Sequence, residues 1–137
     1  MICVVLDYAP CLKVRRQVFI EEQGIAEIDE VDGRDPQAVH LLATDAGRPI
    51  GAARILIDGK IGKIGRICVL SEKRGTGLGA NLVEAAVDYL RQQGNVTQAK
   101  LGSQDHAIGF YARLGFHPIG PIYQDAGIPH QDMIRDL

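Results

Sequence analysis

The segment Lys73-Arg74-Gly75-Thr76-Gly77-Leu78-Gly79-Ala80 combines glycines and cations in a spacing suited to binding phosphate. Before it, Ile64-Gly65-Arg66-Ile67-Cys68-Val69-Leu70 has the character of a buried strand. After it, Asn81 to Leu90 carries apolar residues at helical intervals. The glycines therefore fall at a strand-to-helix turn. The first turn of a helix leaves backbone N–H groups unpaired and carries a partial positive charge, so anions settle there. Glycine removes the side chains that would hold a phosphate away and tolerates positive φ. Arg74 supplies a fixed cation with a stated partner. Together these features describe a cradle for a diphosphate.

Three ligand classes use such a turn. A nucleoside-triphosphate P-loop needs Lys and then Ser or Thr after its last glycine. Here Ala80-Asn81 follow Gly79, which excludes it. Gly75-Thr76-Gly77-Leu78-Gly79-Ala80 also satisfies the dinucleotide pattern G-x-G-x-x-G/A, with Asp105 in range of the expected ribose acid. The chain after the motif is too short for a doubly wound nucleotide domain, and the preceding strand reads as the second arm of a hairpin.

The third class is acyl-coenzyme A. Arg74-x-x-Gly77-x-Gly79 resembles the R/Q-x-x-G-x-G/A signature of the GNAT superfamily of acyl-CoA-dependent N-acyltransferases. Gln104 to Phe116, with Tyr111 before Gly115-Phe116, resembles that family's second landmark. Tyr123 to Met133 and Phe19-Ile20-Glu21-Glu22-Gln23 are similar to its small bacterial ElaA/YjcF-like branch.

The resemblance implies that backbone N–H groups of Gly75, Thr76, Gly77, Leu78 and Gly79, with Arg74, hold the pyrophosphate of acetyl-CoA. It also implies that two central parallel strands splay to admit the pantetheine arm. The Cys68 and Val69 backbone would then bond the arm like an added strand. The family often has Asn where Gln104 stands; the resemblance makes Gln104 the expected cofactor contact, with Gln in place of that Asn. The implied activity is acetyl transfer to a primary amine on a small molecule or protein. A non-catalytic acyl-CoA-binding domain is the alternative. Many relatives pair, so a homodimer is a further expectation.

Acyl transfer to an amine needs a neutral nucleophile, a polarised carbonyl and a proton for the leaving thiolate. Tyr111 stands where family members place a general-acid tyrosine, and an ordinary phenol pKa of ~10 keeps it protonated at neutral pH. Glu22, at the end of the first helix, and His130, in a Gly-Ile-Pro-His turn, are the candidate general bases. Cys68 is a formal candidate nucleophile, but a small thiol on a central strand reads as core, favouring direct transfer in a ternary complex. His40 and Arg54 lie on neighbouring strands, and period-two alternation leaves open whether their side chains point into the acceptor cleft. Asp29, Glu30, Asp32 and Asp35 form an acidic run suited either to attracting a cationic amine or to solvating a loop.

These residues need elements to carry them. Strands are expected at Ile2–Leu6, Ala38–Thr44, Pro49–Ile57, Lys60–Leu70, Thr97–Gly102, Phe116–Tyr123 and His130–Arg135. Helices are expected from Pro10 to about Glu22, from the glycine turn to near Gly94, and briefly before Leu114, with Glu27 to Pro36 as a loop. The order implies an α+β domain, with a mixed, mostly antiparallel sheet of about six to seven strands flanked by about three to four helices. The chain's 137 residues suffice for one domain, and 46% apolar content is ordinary for a globular protein. A net charge of −2 gives no reason to expect nucleic acid or an anionic membrane as partner. No apolar run approaches the ~20 residues of a membrane span and no signal peptide is evident, so a cytoplasmic location is expected. Cys3, Cys11 and Cys68 lack metal-ligand spacing and read as free buried thiols, with no metal expected.

Overall fold

A computed structural model describes residues 1–137. The strands β1 (Ile2–Val5), β2 (Val39–Asp45), β3 (Arg48–Asp58), β4 (Ile61–Val69), β5 (Gln98–Gln104), β6 (His117–Asp125) and β7 (Ile128–Asp136) form one sheet, ordered β1-β2-β3-β4-β5-β7-β6. All neighbours are antiparallel except β4 and β5. The helices are α1 (Ala9–Arg15), continuing as a π-helical turn over Arg16–Glu22, then α2 (Glu27–Glu30), α3 (Leu78–Arg91) and α4 (Ile108–Arg113). No helix is long and apolar enough to cross a membrane.

The expected α+β architecture is the one observed. Tight turns set the hairpins: Ala46-Gly47, Gly59 and Ala126-Gly127 all take positive φ. The last of these changes one expectation. Because Ala126 and Gly127 close a two-residue turn, β7 begins at Ile128, two residues before its expected start, and His130 lies within the strand instead of where the turn meets it.

Helix α3 buries Leu82, Val83, Ala86, Val87 and Leu90 against the sheet. Their spacing makes one continuous apolar stripe. Gly62 on β4 permits this approach, since a Cβ there would stand 2.2 Å from Leu90 Cδ2. Helix α1 packs on the opposite face, burying Cys11, Val14 and Val18. Cys3, expected to be buried, is exposed on the edge strand β1, while Cys11 and Cys68 are buried.

Strands β4 and β5 pair only at Ile61–Gln98, Gly62–Ala99 and Lys63–Lys100. Beyond these pairs they separate, and a cleft of ≈ 740 Å³ opens between them. On the β3 side, one residue of β3 opposes two of β4 around Ala53, a bulge at which Arg66 adopts φ 48°. Such a left-handed conformation is uncommon for a non-glycine residue.

The acidic run is neither an open solvated loop nor a free electrostatic lure. Arg15 donates to Glu30 Oε1 at 2.6 Å and Oε2 at 2.8 Å, and to Asp35 Oδ1 at 2.7 Å, with all three residues buried. Arg54 forms a bidentate pair with Asp32 at 2.9 Å for both bonds and also reaches Asp35. Arg66 donates to the Glu30 carbonyl at 3.1 Å and to Asp32 at 3.3 Å. Three guanidiniums thus meet three carboxylates, turning the segment inward and folding it into α2 and a 3₁₀ turn at Asp35–Gln37. Only Asp29 keeps an exposed carboxylate without a protein partner.

Removing one partner of a buried ion pair strands the other, at a cost of about 3–5 kcal/mol. Arg15→Met is therefore expected to destabilise the protein on that scale in urea unfolding. Arg91→Met, at an exposed pair with Asp88, is expected to cost less than about 0.5 kcal/mol.

Candidate active site

The cleft is walled by β4 and β5, with the π-helical turn, the loop after it and the β6–β7 hairpin around its rim. The glycine turn follows β4, and Arg74 beside it lines the cleft. Gly77 precedes α3 with φ 85°, and Gly75 has φ 77°. Both conformations favour glycine, and both Cβ positions face open space. The backbone N–H groups of Gly75, Thr76, Gly77, Leu78, Gly79 and Ala80 donate to nothing within the protein; the first bond of the turn is Asn81 N–H to the Gly77 carbonyl at 3.1 Å. Thr76 uses its hydroxyl to donate to the Lys73 carbonyl at 2.6 Å, closing the loop. The six residues therefore present consecutive unpartnered donors beside the positive end of a helix.

Arg74 stands beside them but is engaged. Its guanidinium donates to the Val69 carbonyl at 3.2 and 3.0 Å, and to the Glu22 carboxylate at 2.5 and 2.9 Å. The Val69 carbonyl therefore points into the opening. Cys68 pairs with Ala52 of β3, and its thiol is buried. Burial pushes that thiol up to about 12, far from a thiolate at neutral pH. Gln104 ends β5 on the other lip, where it donates to Gln23 Oε1 at 3.1 Å and has His106 Nε2 2.8 Å from its Oε1.

Tyr111 projects from α4 into the cleft, with its ring edge-on to Phe110 and Phe116. Its hydroxyl has no hydrogen-bond partner in the protein, and burial raises the phenol to about 12. The group is protonated throughout the neutral range.

Of the candidate bases, Glu22 is tied to Arg74, whose hydrogen bond holds the carboxyl below its ordinary range. His130 Nδ1 lies 2.7 Å from the Ile128 carbonyl, so Nδ1 is the donor there and, in the neutral ring, Nε2 is the nitrogen able to accept a proton. The His130 ring stacks on Tyr123, and both line the cleft. Arg54 also lines it, although its charge is spent on Asp32 and Asp35. His40 does not: it is buried, stacks on Tyr8 and has Nε2 2.9 Å from the Asp35 carbonyl.

Sequence reasoning missed Arg15, Arg66 and Tyr123. Arg15 left a signal, since it shares a helical stripe with Cys11, Val14 and Val18 and faces the core. Tyr123 lies across β5 at Gly102, where a Cβ would stand 2.5 Å from its hydroxyl oxygen, and donates to Asp132 Oδ1 at 2.6 Å. Nothing in the local pattern announces that contact. No group of three or more His, Cys, Asp or Glu residues is placed to hold a metal ion.

Comparison with known proteins places this geometry. The family model for the acetyltransferase (GNAT) domain matches residues 16–137. The uncharacterized N-acetyltransferase YjcF of Bacillus subtilis is 32% identical over 124 residues, covering 90% of this chain and 88% of its own. The crystal structure of Escherichia coli ElaA superposes with a TM-score of 0.83 at 31% identity, covering 93% of this chain and 88% of that one. That of an acyl-CoA N-acyltransferase from Pseudomonas aeruginosa gives 0.86 at 30% identity, covering 98% of each chain. A family match over residues 16–137, relatives aligned over most of both chains, and close superposition on solved structures agree: this chain belongs to the GNAT acetyltransferase family, among its small bacterial ElaA/YjcF-like members.

Proposed function

We propose that the protein transfers an acetyl group from acetyl-CoA to a primary amine by direct attack within a ternary complex. One observation carries the reading: the unpartnered amides of Gly75 through Ala80 lie at the end of β4, where that strand has left β5. A diphosphate at those amides directs the pantetheine arm along the open edge of β4. The arm's amides then meet strand backbone, with the Val69 carbonyl as an acceptor. Gln104, on the opposite lip, reaches the arm from β5.

At the far end of the arm, the thioester carbonyl lies in the cleft with Tyr111 and His130. The neutral amine attacks the carbonyl carbon, forming C–N, and the tetrahedral intermediate collapses by breaking C–S. His130 Nε2 takes the proton of the amine. The Tyr111 hydroxyl gives its proton to the departing thiolate, a role that suits a phenol held protonated by burial. The buried, protonated Cys68 thiol supports direct transfer over an acyl-enzyme.

Three variants test these roles. Gly77→Asp sets a carboxylate against the diphosphate, and aspartate tolerates positive φ better than most residues. Coenzyme A affinity by calorimetry is expected to fall at least about tenfold, with the fold retained by circular dichroism; unchanged affinity would remove the cradle. Tyr111→Phe is expected to lower kcat by about 10²–10⁴-fold in a thiol-release assay, with coenzyme affinity kept. A folded wild-type protein that binds coenzyme A but turns over no amine would instead favour the acyl-CoA-binding domain. Cys68→Ala is expected to retain turnover, and mass spectrometry of the acetyl-CoA-treated enzyme should find no covalent acetyl adduct on Cys68.

A further inference from the structure

The amides of the phosphate turn are free, but its cations are not. Lys73 Nζ lies 2.8 Å from Asp45, and Arg74 is bound to Glu22 through both terminal nitrogens. Glu22 comes from the π-helical turn, 52 residues earlier in the chain. Its neighbour Gln23 accepts from Gln104 on the opposite lip. The end of the π-helical turn is thus strapped to both lips of the opening that separates β4 from β5.

Arginine binds carboxylate and phosphate through the same planar fork of donors. Arg74 divides its donors between the Glu22 carboxylate and the Val69 carbonyl, so it cannot give the same fork to a diphosphate. The Arg74–Glu22 pair is solvent-exposed, with 43% and 42% of the two side chains accessible. Exposed pairs of this kind contribute little and exchange readily. A diphosphate, also held by the adjoining amides, displaces a lone carboxylate.

We propose that Glu22 is an internal competitor for the coenzyme: its carboxylate occupies the phosphate-binding fork of Arg74 until the diphosphate displaces it. The inference rests on the acyl-CoA reading above. It assigns Glu22 a positioning role in place of the general-base role weighed from sequence. The exchange swaps one anion for another, so Arg74 is never left unpaired. Once displaced, Glu22 lies free beside Phe19 and Gln23 on the cleft wall, and one of the two straps across the opening is undone. The coenzyme thereby releases the contact between Glu22 and the β4 side of the opening and returns a carboxylate to the cleft wall.

The test is a double-mutant cycle on coenzyme A affinity, measured by calorimetry on wild type, Glu22→Gln, Arg74→Gln and the double variant. Glu22→Gln is expected to bind coenzyme A about two- to fivefold more tightly than wild type, the scale of an exposed ion pair. In the Arg74→Gln background the same substitution is expected to change nothing, because no guanidinium remains to be released. Equal or weaker binding by Glu22→Gln would overturn the proposal. So would an equal gain in both backgrounds, which would make Glu22 a simple repulsive charge near the diphosphate. A folded wild-type protein that does not bind coenzyme A would sink the acyl-CoA reading itself, and the competitor role with it.

Discussion

Everything functional here depends on β4 and β5 ceasing to pair. A sheet normally satisfies the N–H and C=O groups of its inner strands. Here the ladder between two central strands stops after Lys63 and Lys100, leaving one edge of β4 without a partner in the middle of the molecule. An open inner edge is a liability unless something covers or uses it. In this protein the glycine turn, Arg74, Gln104 and Tyr111 gather around it. The Val69 carbonyl, turned into the gap, is held by Arg74.

The cluster of arginines and acids braces the other side of the gap. Each buried ion pair loses hydration, so such pairs are poor sources of net stability compared with apolar packing. Their directionality does what apolar side chains cannot. Glu30 and Asp35 clamp Arg15 of α1, Asp32 and Asp35 clamp Arg54 of β3, and the Glu30 carbonyl takes Arg66 from the bulge in β4. The segment after α1 is thereby pinned to helix and sheet at once. The uncommon backbone at Arg66 is held in place by the same bonds, at the bulge in β4.

Much of this was legible before any coordinates. The strands and α3 fall near their expected positions because alternating and helical patterns report directly on which face is buried. The glycine turn was legible because its conformations are local: Gly75 and Gly77 have positive φ whatever packs nearby. Misread elements were those decided at a distance. Glu27–Pro36 resembled a solvated loop because its charges alone carry no sign of the arginines they meet, which lie in α1, β3 and β4. The last strand starts two residues earlier than expected because the positive-φ alanine at position 126, which moves the turn upstream of His130, has no distinctive sequence signature.

Fold class, the strand-to-helix glycine turn and the kinship with acetyltransferases all follow from short-range pattern and so are written in the chain itself. Which charges neutralise one another, which thiols are buried, and the hold of Glu22 on Arg74 emerge only in the folded chain. The physical reason is range. Periodicity and glycine conformation are properties of neighbouring residues, whereas an ion pair depends on two side chains brought together by the whole fold, and the sequence positions of its members do not say who the partner is.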